Sequence, residues 1–197
     1  MHTILTYSSR VLFVSGIAGL LCWSWIIADS RHHQNRAFAQ LLQAKSGATR
    51  QLAVNTTTTS QGQGKSEDGS VVGLIEIPRI GLSAVIDEGD SSQVLRRAVG
   101  HIPGTAPPGQ PGNVALAAHR DTFFRQLGIL RHGDEINLVV PGGHFNYVVE
   151  FSEVVDPIET WILQAATGQT LTLITCFPFH YIGAAPKRYM VRARRVV

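Results

Sequence analysis

The sequence predicts a mainly β domain, either a small β-barrel or a β-sandwich, in residues 71–197. Seven or eight short apolar segments recur in this region at near-regular spacing, and several alternate apolar with polar residues. Stretches rich in Pro and Gly separate them, and few residues follow a helical period. The region carries eleven Lys/Arg and eleven Asp/Glu. It therefore lacks the concentrated basic charge that is typical of a nucleic-acid-binding domain.

The first half of this region contains three predicted strands and two short helical stretches. The strands are Val71–Ile77, which Pro78 ends, then Leu82–Ile86 and Asn113–Ala118. Gln93–Ala98 predicts a short helix, and Thr122–Leu127 predicts one or two helical turns. A Pro- and Gly-rich surface loop covers most of residues 102–113.

The second half contains four further predicted strands. Glu135–Val140 and His144–Phe151 flank Pro141-Gly142-Gly143, and glycine accepts the positive φ that a hairpin turn needs. Thr170–Thr175 alternates hydroxyl with aliphatic side chains, and Tyr189–Val197 alternates as well. These patterns predict a β-hairpin followed by two further strands.

An uncharged apolar segment, Val11–Ala28, precedes the β region. It is 18 residues long, near the lower limit for a helix that spans a membrane. Trp23 and Trp25 lie near its end, where membrane proteins carry aromatic belts. The alternative is a cleaved signal peptide, but the bulky Ile26 suits its cleavage site poorly. We therefore expect residues 1–30 to be an uncleaved, single-pass membrane anchor.

The composition of residues 31–70 predicts a stalk and a flexible linker. Thr56–Ser70 has almost no apolar residues and cannot support a core. Arg10 precedes the anchor, whereas Arg31, Arg36 and Lys45 follow it. This bias alone would place the C-terminal side in the cytoplasm, but long translocated domains often escape the rule. We nevertheless expect the β domain on the extracytoplasmic side, because of the sequence motifs in that domain that are described below.

Two residues with reactive side chains lie at predicted strand ends. Cys176 follows Thr170–Thr175, and His119 follows Asn113–Ala118. Such a pair can supply a thiolate nucleophile and a proton donor for a leaving amine. Taken alone, each residue can equally be structural, as a buried inert cysteine or a histidine that caps a loop. Cys22 lies in the apolar segment, so Cys176 has no disulfide partner in the β domain.

Arg188 begins the strand after the loop that Cys176 opens. If the chain returns there, its guanidinium lies close to the thiol. A nearby cation favours the thiolate over the thiol, whose ordinary pKa is about 8.5. It can also stabilise a developing oxyanion. The alternative is a solvated charge, as expected for the neighbouring Arg192, Arg194 and Arg195.

Several motifs in this order resemble those of sortases. Thr172-Leu173-Ile174-Thr175-Cys176 matches the family's TLxTC signature, and His119 stands in the similar segment ALAAHRDTFFRQL, residues 115–127. The loop CFPF…YIGAAPKRY is most similar to class D sortases, and residues 73–89 and 97–113 resemble the usual start of the family's domain. One departure is Ala118, where the family often has glycine before the histidine.

The resemblance implies a closed eight-stranded β-barrel with a few short helices, in a catalytic domain covering residues 71–197. It implies a membrane-anchored cysteine transpeptidase that faces the cell envelope. The family's catalytic positions fall on His119, Cys176 and Arg188, and Thr175 matches a residue used near substrate. No acidic calcium-binding cluster is evident, so we expect no metal and no cofactor.

The implied reaction begins with attack of Cys176 on the threonine carbonyl of a motif resembling Leu-Pro-x-Thr-Gly/Ala. His119 protonates the leaving amine, and Arg188 holds the oxyanion or the substrate backbone. An amine acceptor, either a peptidoglycan precursor or a pilin lysine, then resolves the thioester. The implied partners are such proteins, the acceptor and the lipid bilayer, but no nucleic acid.

Three other interpretations stay open. Cys176, His180 and His119 can supply three zinc ligands, although no fourth ligand is close in the sequence. A papain-like hydrolase would place its cysteine before its histidine, and the order here is reversed. A tethered β domain that only binds partners is the third, and the presence of all three candidate catalytic residues argues against it.

Overall fold

The computed structural model describes residues 16–17, 69–164 and 168–196, and all structural statements concern these residues. The anchor and linker predicted for residues 1–70 lie outside them, apart from positions 16–17 and 69–70. Among the residues described, no helix has the length and apolar character needed to cross a membrane.

Residues 69–164 and 168–196 form eight strands and four short helices. The strands are β1 (Val71–Ile77), β2 (Leu82–Glu88), β3 (Val99–His101), β4 (Gly112–Ala117), β5 (Glu135–Val140), β6 (Gly143–Val155), β7 (Gln169–Phe177) and β8 (Lys187–Val196). The helices are η1 (Pro78–Ile80), α1 (Ser92–Leu95), η2 (Leu127–Ile129) and η3 (Thr160–Leu163), of which only α1 is α-helical.

These strands close into a single barrel in the order β1-β2-β3-β4-β7-β8-β6-β5. The antiparallel pairing of β1 with β5 completes the ring. The pairs β2/β3 and β4/β7 are parallel, and the other pairs are antiparallel. Among the described strands, closure leaves no open sheet edge at which another chain could pair. The predicted closed eight-stranded barrel is therefore confirmed.

Strand directions define two ends of the barrel. Because β4 and β7 are parallel and aligned at Ala117 and Ile174, both run toward the same end. Cys176 lies near that end of β7, and we call it the Cys176 end. In the antiparallel partner β8, the start of the strand lies at the Cys176 end and Val196 lies at the opposite end. The start of β1 also lies at the opposite end, next to the β5–β6 turn.

Apolar side chains that alternate along the strands point into the barrel and form its core. In β7, Leu171 and Leu173 are fully buried within it. The loop after β4 adds Phe124, and β6 adds Tyr147. Each fully buried apolar side chain of this size contributes about 1.5–3 kcal/mol. The core thus fixes both the barrel and the loop that follows β4.

Most predicted elements are present, with shifted limits. The hairpin turn is confined to Pro141-Gly142, because Gly143 already begins β6 and supplies the positive φ of 134°. Helix α1 is shorter than predicted and begins after Ser91, whose hydroxyl accepts a hydrogen bond from the Val94 amide. Residues 121–126 form turns instead of the predicted helical stretch, and the short helix η2 begins directly after them at Leu127.

Candidate active site

The β7–β8 ladder places Cys176 directly opposite Arg188. Directly opposed residues in an antiparallel pair project to the same side of the sheet, with Cβ atoms about 4.5–5.5 Å apart. The side chains of Cys176 and Arg188 therefore project next to each other from the same side of the sheet. Cys176 is a free cysteine of intermediate exposure. The predicted return of the chain to Cys176 is thus present in the fold.

His119 reaches the same end from the neighbouring strand. The Ala118 amide donates to the Ile174 carbonyl at 3.2 Å, which extends the β4/β7 pairing to the residue before His119. The His119 carbonyl accepts a hydrogen bond from the Phe124 amide at 3.1 Å, and the Phe124 side chain is fully buried. The backbone of His119 is consequently fixed from both sides.

Together these residues line one cleft of about 300 Å³. Its walls are His119, Cys176 and Arg188, with Arg120, Asp121 and residues 183–185. Across the described residues, neither the His119 imidazole nor the Cys176 thiol makes a hydrogen bond to protein. Both groups are therefore open to a bound substrate, and no direct proton path joins them in this state.

The guanidinium of Arg188 has a partly defined position. Its Nη1 donates to the carbonyls of Ala185 at 3.3 Å and Lys187 at 3.0 Å. Within the described ranges, its Nε and Nη2 have no protein acceptor. Arg188 thus retains donors that can bind a substrate oxygen in the cleft.

Thr175 lies outside the lining of this cleft. Its side chain is buried, and its hydroxyl donates to the Ala118 carbonyl at 2.7 Å. The hydroxyl therefore fixes the residue before His119 instead of facing the cleft. The predicted contact of Thr175 with substrate stays a prediction, and the geometry gives Thr175 a supporting position.

The zinc alternative requires His119, Cys176 and His180 to meet. In the part of the chain that the structure describes, no three His, Cys, Asp or Glu side chains are grouped as metal ligands. His180 is also absent from the lining of the cleft. The structure therefore gives the zinc interpretation no ligand set.

A larger cavity, of about 890 Å³, lies at the opposite end of the barrel. It is bounded by Val71, Glu88, His101 and Phe145 together with the loop that follows β3. His101 is buried, with its Nδ1 2.8 Å from Glu88 Oε2 and its Nε2 3.0 Å from the Ala106 carbonyl. These contacts already use both ring nitrogens, so the His101 imidazole is not available to a ligand in the larger cavity.

The local sequence does not identify Arg120 as a functional residue of the cleft. Arg120 follows His119 directly, and its guanidinium contacts the loop between β7 and β8. The available signal was a charged residue between a candidate catalytic histidine and a turn. Nothing in the local sequence indicated its partners, which lie far along the chain.

The barrel and its cleft define a cysteine-dependent acyl-transfer enzyme. A family model described as the sortase domain matches residues 75–196. The chain belongs to the sortase family, whose members are cysteine transpeptidases, as its motifs predicted.

Individual relatives support the same assignment. Sortase D of Bacillus subtilis (strain 168) is 36% identical over 163 residues, which cover 79% of this chain and 82% of the relative. Among solved structures, the Sortase D5 transpeptidase of Clostridium perfringens is 28% identical with a TM-score of 0.64, covering 83% of this chain and 96% of that one. Sortase C1 of Streptococcus agalactiae is 30% identical with a TM-score of 0.60, covering 65% and 68%. The predicted similarity to class D is confirmed.

Proposed function

We propose that this sortase is a membrane-anchored transpeptidase that cleaves a motif resembling Leu-Pro-x-Thr-Gly/Ala and transfers the acyl part to an amine. The observation that carries the proposal is the meeting of His119, Cys176 and Arg188 in one cleft. Similarity to Sortase D and to the Sortase D5 transpeptidase supports the same reaction class.

In the first half of the reaction, the Cys176 thiolate attacks the threonine carbonyl carbon of the motif. The carbonyl oxygen becomes an oxyanion, and the unoccupied donors of Arg188 are available to stabilise it. The C–N bond then breaks as protonated His119 gives its proton to the leaving amine. The products are a thioester on Cys176, a free amine and neutral His119.

In the second half, an acceptor amine enters the cleft and attacks the thioester carbonyl. Neutral His119 takes the proton that the amine loses on forming the new amide. Cys176 leaves as a thiolate, which restores the starting state with His119 protonated. The cleft is open to solvent on one side, so donor and acceptor can enter in turn.

The location and the acceptor complete the proposal. The apolar segment Val11–Ala28 supports a single-pass anchor in residues 1–30. We place the catalytic domain on the extracytoplasmic side, where sorting motifs and envelope amines meet. The acceptor is then a peptidoglycan precursor amine or a pilin lysine.

The covalent intermediate provides the central test. A peptide with the sorting motif should form an adduct whose added mass equals the peptide through threonine minus one water. Hydroxylamine should release it as a hydroxamate, because thioesters react readily with strong amine nucleophiles. With a separate amine acceptor, initial rates should follow a ping-pong pattern.

Variants at Cys176 and His119 test the role of each side chain in this reaction. Cys176→Ala should abolish the adduct, and Cys176→Ser should nearly do so, because a hydroxyl is far less ionised than a thiol. His119→Ala should slow adduct formation by roughly 10²–10⁴, the usual contribution of a general acid. An active Cys176→Ala protein would disprove the assignment.

A further inference from the structure

One wall of the cleft is built by a segment without regular structure. We call residues 178–186, which join β7 to β8, the cleft loop. Gly183, Ala184 and Ala185 of this loop line the cleft. Among the described residues, no backbone–backbone hydrogen bond outside the strands involves the cleft loop. Its position must therefore depend on side-chain contacts.

Apolar packing fixes only the beginning of the cleft loop. The Phe179 ring packs against Tyr189 with centroids 5.2 Å apart and against Phe177 at 5.8 Å. Further along, Tyr181 is about half exposed and Ile182 is fully exposed. The part of the loop that lines the cleft thus lacks apolar anchors of its own.

The Arg120 side chain makes polar contacts with the cleft loop. Its Nη1 donates to the Pro178 carbonyl at 3.2 Å, and its Nη2 donates to the carbonyls of Tyr181 at 2.7 Å and Gly183 at 3.0 Å. The same guanidinium lies 5.8 Å from the centroid of the Tyr181 ring, within the range of a cation–π contact. One side chain therefore contacts the start, middle and cleft-facing part of the loop.

The backbone that carries the Arg120 side chain is also held in a defined position. Arg120 directly follows His119, whose backbone is fixed by β4 and by the buried Phe124. Its guanidinium can hold three carbonyls because it is planar and carries five donors in a fixed fork. The geometry thus links the position of His119 to the position of the cleft loop.

We propose that Arg120 is a positioning residue of the transpeptidase cleft. It holds the cleft loop at a fixed distance from His119, so that the sorting peptide meets a preformed wall. The kinetic part of this proposal rests on the proposed function, and the structural part does not. Cys176 and Arg188 lie on β7 and β8, and His119 follows β4, so the backbone positions of these three residues do not depend on Arg120.

Without Arg120, the cleft loop should sample open positions, and apparent affinity should fall with the fraction of closed loop. Arg120→Ala should raise the KM for the sorting peptide about tenfold or more. The kcat should change by less than about threefold, because the closed fraction retains the same reacting groups. Alkylation of Cys176 by iodoacetamide should stay within about twofold of the wild-type rate, because the strand that carries the thiol is unchanged.

Arg120→Lys tests the geometry of the contact separately from its charge. Lysine offers a compact ammonium that cannot hold three carbonyls in one plane, so its KM should resemble that of Arg120→Ala. Arg125→Ala is the matched control, because Arg125 is an exposed arginine on the same loop as Arg120. It should leave KM unchanged.

Limited proteolysis provides a readout independent of peptide turnover. In Arg120→Ala and Arg120→Lys, chymotrypsin should cut the cleft loop after Tyr181 at least about tenfold faster than in the wild type, because cleavage requires local opening of the chain, and in Arg125→Ala it should not. If wild-type protein cleaves no sorting peptide, the proposed function fails while this measurement still tests the loop. Unchanged cleavage after Tyr181 in both variants overturns the positioning role. General unfolding of both variants, or a loss of kcat alone, also overturns it.

Discussion

Arg188 faces Cys176 across the β7–β8 ladder and keeps two donor nitrogens without a protein acceptor in the described chain. Arg188→Lys should therefore lose most transpeptidation activity, although the charge is kept. A lysine ammonium cannot contact the Ala185 carbonyl and a substrate oxyanion with the same planar fork. Steady-state rates with a sorting peptide and an amine acceptor provide the measurement.

The comparison variant is Arg188→Ala, which removes both charge and donors. If Arg188→Lys turns over at nearly the wild-type rate while Arg188→Ala does not, charge alone is sufficient. The directional role of the guanidinium would then be wrong.

Residue-level prediction selected side chains whose chemistry and order in the chain are distinctive, and the fold brings these side chains into one cleft. Cys176, His119 and Arg188 were selected from reactive side chains at strand ends and from the motifs around them. Arg120 was not selected, because its acceptor carbonyls lie 58, 61 and 63 residues away. Partners at that separation become visible only when the fold brings them together. For the same reason, the hydrogen bond from the Thr175 hydroxyl to the Ala118 carbonyl was not predicted.

At the scale of elements, helix η3 is held against the barrel by buried polar side chains. Asn113 on β4 donates to the Ile162 carbonyl at 2.9 Å and accepts from Thr172 at 2.7 Å. Arg192 on β8 donates to the same Ile162 carbonyl at 3.2 Å. Burial lowers the pKa of Arg192 from its ordinary value, and the charge of Glu150 partly offsets this effect. We call Asn113, Thr172 and Arg192 the η3 clamp.

Asn113→Ala should lower the free energy of unfolding by about 1–3 kcal/mol. The substitution leaves the buried Thr172 hydroxyl without its acceptor, and an unsatisfied buried polar group carries a penalty of that size. Urea denaturation at fixed pH measures the change. Asn146→Ala, at an exposed strand position, should change stability by less than about 0.5 kcal/mol. Equal effects at the two positions would show that the η3 clamp contributes nothing.

Elements with strong alternation were predicted with nearly correct limits. β7 alternates over its whole predicted length, and the Pro141-Gly142 turn marks the β5–β6 hairpin clearly. Strand β3 was not predicted, because three residues carry no measurable period. It exists because Val99–His101 pairs with β2 on one side and β4 on the other. Tertiary pairing therefore defines β3, and no local propensity does.

For the whole molecule, the barrel closes on itself through the β1/β5 pairing. Deleting residues 1–55 should therefore give a soluble, folded and active domain, since the linker sequence has no apolar core to lose. Circular dichroism, thermal unfolding and adduct formation on Cys176 test the three properties separately. Loss of folding would indicate that the deleted segment packs against the barrel.

The sequence allowed the barrel class to be predicted, but residue patterning alone left a sandwich equally open. Only the family resemblance indicated that the barrel is closed. Closure requires β1 to pair with β5, and this pairing depends on strand tilt and register, which composition does not encode. The anchor in residues 1–30 and its orientation remain predictions, because that segment lies outside the described residues.

Strand direction also determines how the enzyme can be attached to other molecules. Val71 at the start of β1 and Val196 at the end of β8 both lie at the barrel end opposite Cys176. A bead, fluorescent label or fused carrier joined at either position therefore leaves the cleft facing away from the attachment. Immobilised preparations of this enzyme can be coupled through either terminus of the barrel without covering the site where peptides enter.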